Sequence, residues 1–583
     1  MNCRQHNTLL CALLCVLFLA RPNVSFTADI YVDDSATCGG LCDGTNWTLA
    51  YPDLQTALGL AVSGDKIYVA GGTYKPHSTD RDASFIIHSG VQVYGGYDGS
   101  GSPGARNSTS VLSGEIGLAG DLDNSYTIVY FVDSSQSTLL DGFTVTGGNA
   151  DGLISHDHSN GGGIYITATS TNISEPTVKN CIISTNIASG NGGGLFVYGG
   201  GFGGTAKPQI NGCTIVNNDA SLGGGLFNDG NLCTAEPIII NCDFNGNDAS
   251  STGGAVYNFG KSGGSAGATV VNTLFRNNTA GSAGGYYSLA SGSATSLSTI
   301  TNCTFFANFA NVGGAAYVNE EPGSTAQTTI ANTIFWSSSA GFNPIFHYSG
   351  DGTPEIIISY SLVDAANCAD IKQGTDVSCG AGMIYNQNPL FVNGSGGNFD
   401  LDENSPAINA GDNTTIGNTG VSVDIHSDNR IQVGMVDLGV DETPYGLMVP
   451  VELISFTVKA YNQDAAILNW STASEQDNDY FTVEHSRNGI DYRPIDKIYG
   501  AGTTGQAQYY SYIDHQPVAG LNYYRLKQTD FDEQFSYSEV RTIIFENTQK
   551  EPSIYPNPVR ETLYVNLVTQ HPEEQLNFII YDW

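Results

Sequence analysis

Between Val178 and Ala340 the apolar residues recur at steps of two, in runs of four to six broken by Asn, Gly and Ser. A step of two is the period of a half-buried strand, whereas a helix would need steps of three and four and few glycines. The runs themselves repeat. With Cys181, Cys213, Cys242, Thr273, Cys303 and Thr333 as the zero of six units, successive zeros lie 32, 29, 31, 30 and 30 residues apart. Three residues before zero stand Val178, Ile210, Ile239, Val270, Ile300 and Ile330, and two after it Ile183, Ile215, Phe244, Phe275, Phe305 and Phe335. Five after zero come Asn186, Asn218, Asn247, Asn278 and Asn308, closed by Ser338. Seven after zero every unit has alanine, from Ala188 to Ala340, and each unit before the last then reaches a glycine pair.

A period near thirty with fixed apolar columns describes a solenoid, in which each unit buries its face only against its neighbours. Strand, turn and strand in every unit predict an all-β chain built on a right-handed parallel β-helix, with equivalent residues of adjacent coils about 4.8 Å apart. In that geometry Asn186, Asn218, Asn247, Asn278 and Asn308 form a structural ladder, each side-chain amide bonding to those above and below. The same asparagines are expected to take the left-handed backbone of a sharp bend. Alanine marks a column where only a methyl fits, glycine pairs give the tight turn, and cysteine at zero, alternating with threonine, reads as a small buried filler without chemistry.

The pattern changes at both ends. Arg4 and His6 precede the apolar run from Leu9 to Ala20, too short to span a bilayer and of the size of a signal-peptide core, so residues 1–28 read as an export leader. No later segment reaches transmembrane length. The solenoid is expected over residues 29–443, with Pro444 and Pro450 punctuating a linker at 444–450. From Val451 to about 547, strands such as ISFTV, AILNW and YFTVEH follow at β-sandwich spacing, with Trp470, Tyr523 and Tyr524 as core aromatics. Three of the twelve cysteines lie in the leader, and of the nine left, Cys38 with Cys42 and Cys368 with Cys379 suit local disulfides.

Charge narrows the function. The 57 acidic against 21 basic residues leave a net charge of −36 in a chain only 13% charged, which disfavours nucleic acid and anionic membranes. The 71 glycines and abundant Asn, Ser and Thr leave an uncharged polar surface suited to sugars or matrix. No cofactor is required by any motif: phosphate loop, HExxH and CxxC are all missing from the sequence.

Two clusters carry candidate chemistry. Asp219 and Asp248, six after zero in adjacent units, stack one strand apart and could act as the acid and nucleophile of a glycosidase or hold Ca2+. The same column carries Ile187, Thr279 and Phe309, with no Lys or Arg in register to serve as a lyase base. In DGLISHDHSNGGG, His156, Asp157 and His158 could hold a metal through two imidazoles two residues apart. Solvated acids and an exposed loop are the plainer readings of both.

Repeats such as FNGN, FRNN and FFAN, paired with GGAV and GGAA, resemble those of polymorphic outer membrane proteins over Asp141 to about Ala340. That resemblance implies a surface-exposed, adhesive β-helical passenger. DIYVDDSATCGG and GDKIYVAGGTY resemble the first coil of secreted bacterial β-helix proteins. NPLFVNGSGGNFDLDENSPAINAGDN and VDIHSDNRIQVGMVDLGVDE look like the final coils of proteins with variable C-terminal anchors. The segment after Val451 is similar to fibronectin type III-like modules of Bacteroidetes surface proteins, which implies a spacer. SIYPNPVRETLYVNL, in residues 551–583, resembles the start of a type IX secretion sorting domain that would continue with further strands. Together these imply an extracellular or outer-membrane surface protein, sorted by type IX machinery, that binds polysaccharide, matrix or a cell-surface ligand. A polysaccharide lyase or glycoside hydrolase on the β-helix is the alternative.

Overall fold

The computed structural model describes residues 27–444, apart from 118–119, 154–157, 341–344, 349–355, 372–376 and 433, and residues 453–545, apart from 463, 474, 505–506 and 532. Two further strands, Ser553–Tyr555 and Tyr564–Asn566, pair with each other. The leader core, His156, Asp157, most of the linker and most of residues 551–583 lie outside the described residues. The chain divides into two compact units between Tyr445 and Gly446.

The first unit is a parallel β-helix. One coil shows its construction: Thr177–Lys179, Ile182–Ser184, Ile187–Asn191 and Leu195–Tyr198 each pair with their own counterpart in the next coil and not with one another. Stacking the coils yields parallel sheets of sixteen, eleven, seven and nine described strands. The register follows the sequence columns. Val178 stands on Ile210, Ile239, Val270, Ile300 and Ile330. Ile183 stands on Ile215, Phe244, Phe275, Phe305 and Phe335. The alanines are aligned from Ala188 to Ala340.

One hydrophobic cluster runs through the coils from Ile30 to Val377. Its lower part is a file of parallel rings, Phe244, Phe275, Phe305 and Phe335, with centroids 5.2, 4.4 and 4.7 Å apart, an arrangement that adds about 0.5–1.5 kcal/mol per pair to the burial itself. Near the start, helix Leu54–Leu60, capped by Asp53, presses Leu54, Ala57 and Leu58 onto the first strands.

Coils end before Thr443. The last stacked strand is Ile384–Tyr385 on Leu362–Val363. From there the chain turns back along the side of the stack as a flank: the hairpin Phe391–Asn393 with Asn398–Leu401, then loops and the helix Thr414–Thr419. The reason lies in the outward row of the eleven-stranded sheet, which reads Thr144, Ile182, Thr214 and Asp243 in earlier coils and Leu274, Thr304, Ile334 and Leu362 in later ones. Those later residues leave an apolar strip on the outside. Leu401, Ala407, Ile408 and Leu438 cover Ile334 and Leu362, and Phe399 and Val440 cover Leu274.

The second unit contains two antiparallel sheets. Leu453–Tyr461, Ala465–Thr472 and Gln508–Asp514 form one; Arg493–Thr504, Glu475–Ser486 and Gly520–Asp530, edged by Phe535–Tyr537 and Arg541–Phe545, form the other. Trp470 lies against Tyr510 and Phe481 in the core. Tyr524 is buried and donates to Asp514 Oδ2 at 2.7 Å. Tyr523 is only half-buried, because neighbouring residues of a strand face opposite ways.

Candidate functional site

The asparagine ladder of the coils is bonded along its length. Each ladder amide donates to the next asparagine: Asn186 to Asn218 at 3.0 Å, Asn218 to Asn247 at 3.0 Å, Asn247 to Asn278 at 2.9 Å and Asn278 to Asn308 at 2.8 Å. The second N–H of each goes to a carbonyl of the preceding coil, as Asn218 to Ile183 and Asn247 to Ile215. Each oxygen also accepts the previous asparagine's backbone N–H. These amides have no capacity left for a ligand.

The ladder asparagines do not themselves take the left-handed backbone. That conformation belongs to the residue before each of them, Thr185, Asn217, Gly246, Asn277 and Ala307, at φ 51° to 64°. The ladder amide must point into the stack, so the reversal is displaced by one position. In the glycine turns the positive φ falls on Gly192, Gly223 and Gly253, and in one coil on Ala283. Gly194 is required for a different reason: a Cβ there would meet the Gly225 carbonyl at 2.6 Å.

Cysteine and threonine share position zero because both are small donors. Cys181 and Cys242 Sγ reach the carbonyls of Lys179 and Ile240 at 3.2 Å, and Thr273 Oγ1 reaches Val271 at 2.9 Å. Burial pushes the Cys181, Cys213 and Cys303 thiols up, which suppresses the reactive thiolate. Cys38 is bonded to Cys42 and Cys368 to Cys379, with Cα separations of 5.4 and 6.2 Å.

Asp219 and Asp248 are direct register partners on adjacent strands, both exposed. Partial burial, then the charge of Asp248, raises the Asp219 carboxyl. Asp248 accepts a short hydrogen bond from Thr279 Oγ1. Among the described residues neither carboxylate has an ion-pair partner of the kind a lyase base would supply. His158 stacks on Tyr126 with centroids 4.5 Å apart and places Nε2 3.7 Å from Asp82 Oδ1, so a ring contact and a carboxylate from an earlier coil hold it.

A different group of metal-ligating residues comes together on the flank. Asp400, His426 and Asp441 bring one ligand atom each within 4.8 Å of one another. His426 Nε2 is 3.1 Å from Asp400 Oδ1 and 3.9 Å from Asp441 Oδ1. Asp400 lies on strand Asn398–Leu401, whose alternate residues Phe399 and Leu401 are buried, so Asp400 is turned outward. His426 is set by Asp424, whose Oδ1 accepts the N–H groups of His426 and Asp428 while Oδ2 accepts that of Glu442. Asp441 is anchored through Oδ2, which accepts the Leu401 N–H at 3.1 Å. Burial, partly offset by that hydrogen bond, pushes the Asp441 carboxyl up to about 6. These residues lie 26 and 15 positions apart in the sequence, with no short spacing to reveal them.

Beneath them Arg430 is fully buried. Its guanidinium donates to the carbonyls of Asp441 at 3.0 Å and Asn302 at 3.3 Å, to Gly439, and to Asn272 Oδ1 at 3.2 Å. Glu442 Oε2 lies 3.7 Å away, equally buried. Burial, together with the Asp437 charge, drives the Glu442 carboxyl up, and burial raises Asp437. The flank is fastened further by the asparagines one before position zero: Asn272 donates to the Val423 carbonyl, and Asn332 accepts the Asp412 N–H at 2.8 Å and donates to Thr415.

No curated protein matches the chain. Among solved structures, one titled as the crystal structure of pectate lyase Pel9A aligns at 14% identity over 72% of this chain and 97% of that one, with a TM-score of 0.46. A second, a beta-1,2-glucanase from Parabacteroides distasonis, aligns at 14% identity over 20% of this chain and 15% of that one, with a TM-score of 0.13. One family model, described as a protein of unknown function (DUF1565), matches residues 43–281, a span that covers the earlier coils and stops short of the flank.

Proposed function

We propose that this chain is an exported surface protein whose β-helix acts as an adhesin-like stalk, binding polysaccharide or matrix without cleaving it. The observation that carries the reading is the outward row of the sixteen-stranded sheet. Thr177, Gln209, Ile238, Thr269, Thr299 and Thr329 stand in register on successive coils, uncharged and exposed or half-exposed. Exposed Leu297 lies two residues before Thr299 on the same strand face. Hydroxyl and amide groups repeated every strand, about 4.8 Å, with aliphatic patches between them, match the hydroxyls and C–H faces of an extended sugar chain. In this reading the second unit is a fibronectin-like spacer, and the tail addresses the protein to type IX export.

The competing reading is a carbohydrate-active enzyme, favoured by the raised Asp219 carboxyl next to Asp248, since a general acid needs such a shift. Incubation of the chain with neutral and acidic polysaccharides, with and without calcium, separates the two. Retention on a polymer that keeps its length, lost in the double variant Thr299→Glu with Thr329→Glu, is the expected result. Shortening of the polymer that disappears in Asp219→Asn or Asp248→Asn would overturn the stalk in favour of the enzyme.

A further inference from the structure

We propose that Asp400, His426 and Asp441 bind a divalent transition-metal ion of the zinc type through one imidazole nitrogen and two carboxylate oxygens, with the remaining coordination open to solvent. The inference is independent of the glycan reading, because it concerns the flank and not the coil faces.

Geometry is the first argument. Ligand atoms about 2.1 Å from a tetrahedral ion stand about 3.4 Å apart. The observed separations from His426 Nε2, 3.1 Å to Asp400 and 3.9 Å to Asp441, fall on either side of that value. Small side-chain rotations would equalise them.

The second argument is an unmet acceptor. The Asp441 side chain is 9% exposed, so nine-tenths of it is buried. Its Oδ2 is satisfied by Leu401, whereas Oδ1 receives no hydrogen bond among the described residues and faces His426 beyond hydrogen-bond distance. With Oδ2 committed to the backbone, Oδ1 is the carboxylate oxygen left to meet a cation. No described Lys or Arg pairs with it: Arg430 gives its guanidinium to the Asp441 backbone carbonyl instead.

Preorganisation is the third. The ligands come from three segments tied together by Asp424, Asp441 Oδ2 and Arg430, so their backbones are positioned before any ion arrives. Asp400 and His426 are 45% and 54% exposed, which leaves a path for entry. The imidazole selects the ion class: calcium prefers six to eight oxygens, whereas zinc and its neighbours accept nitrogen with few ligands.

The test is titration of the full chain with zinc chloride in chelator-free buffer, read by calorimetry and by the shift in thermal unfolding. Wild type should bind one ion that is weakened at least about tenfold in His426→Ala and in Asp400→Asn. His158→Ala should bind as wild type does. Both flank substitutions are at exposed side chains, and far-UV circular dichroism verifies the fold of each. Cobalt(II) in place of zinc should give a visible absorption band that His426→Ala abolishes. Unchanged zinc affinity in both flank variants, loss of binding in His158→Ala, or preference for calcium over zinc would each overturn the proposal.

Discussion

The coils and the flank of the first unit solve the same problem, burying polar groups beside an apolar surface, in opposite ways. In the coil ladder each asparagine meets a copy of itself one strand away, so satisfaction is built into the repeat: the Asn186 to Asn308 ladder uses one bond geometry four times. In the flank every partner is different. Arg430 alone gathers Asn272, Asn302, Gly439, Asp441 and Glu442, and nothing in a neighbouring coil repeats it. Repetition makes the ladder regular but leaves its inner amides, Asn218, Asn247 and Asn278, no spare valence. The flank, freed from the register, is where side chains of unlike chemistry converge, and the one group of metal-ligating residues among the described residues sits there.

If the flank depends on a single hub, Arg430→Met should have the largest effect. It leaves Asp424 and Asp437 without their buried cation and the Asp441, Asn302 and Gly439 carbonyls without a donor, at a cost of about 3–5 kcal/mol. Urea unfolding should show the loss, and limited proteolysis should cut between residues 402 and 430 while the coils stay intact. Equal loss of coil protection would mean that the two regions are not separable.

Breaking one rung of the ladder should cost less. Asn247→Ala removes the oxygen that accepts both a side-chain N–H and the backbone N–H of Asn218, for about 2–3 kcal/mol by the same measurement. An effect as large as that of Arg430→Met would show that repetition provides no cushion.

The pH dependence sharpens the contrast further. Glu442 is raised in the fold from its ordinary 4.5 to about 8, so the folded chain keeps a proton that the unfolded chain releases. Stability from this group is therefore present at the acid end and is lost as pH rises from the ordinary glutamate range through the raised folded value. Glu442→Gln should flatten the urea midpoint across the same window, whereas ladder variants should shift it evenly.

The smallest change is expected at position zero. Cys242→Thr should stay within about 1.5 kcal/mol, because Thr273 and Thr333 already fill the equivalent sites of other coils and make the same bond to a carbonyl. A larger loss would mean that the column is not interchangeable.

The register of the coils was readable from the sequence because a solenoid converts period directly into contact: residues thirty apart in the chain are neighbours in space, and Val178 meets Ile210 for that reason. The Asp219 and Asp248 pair was found by the same logic. The logic misplaced the left-handed residue by one, expecting it at Asn186 where the structure has it at Thr185, since composition names the bend but not which of its residues reverses. It also extended the coils to Thr443, although the row Leu274, Ile334 and Leu362 carries the signal that the outside of the later coils is covered.

What the sequence alone determined is whatever repeats: the sheet type, the columns, the buried ladder and the inert thiols. What only the tertiary structure decided is whatever happens once. Asp400, His426 and Asp441 share no period and no short spacing, and they meet because the chain after Tyr385 folds back onto an apolar strip and is pinned there by Asn272, Asn332 and Arg430. A contact made by a unique return of the chain leaves no echo in the sequence, because nothing in the neighbouring units has to match it.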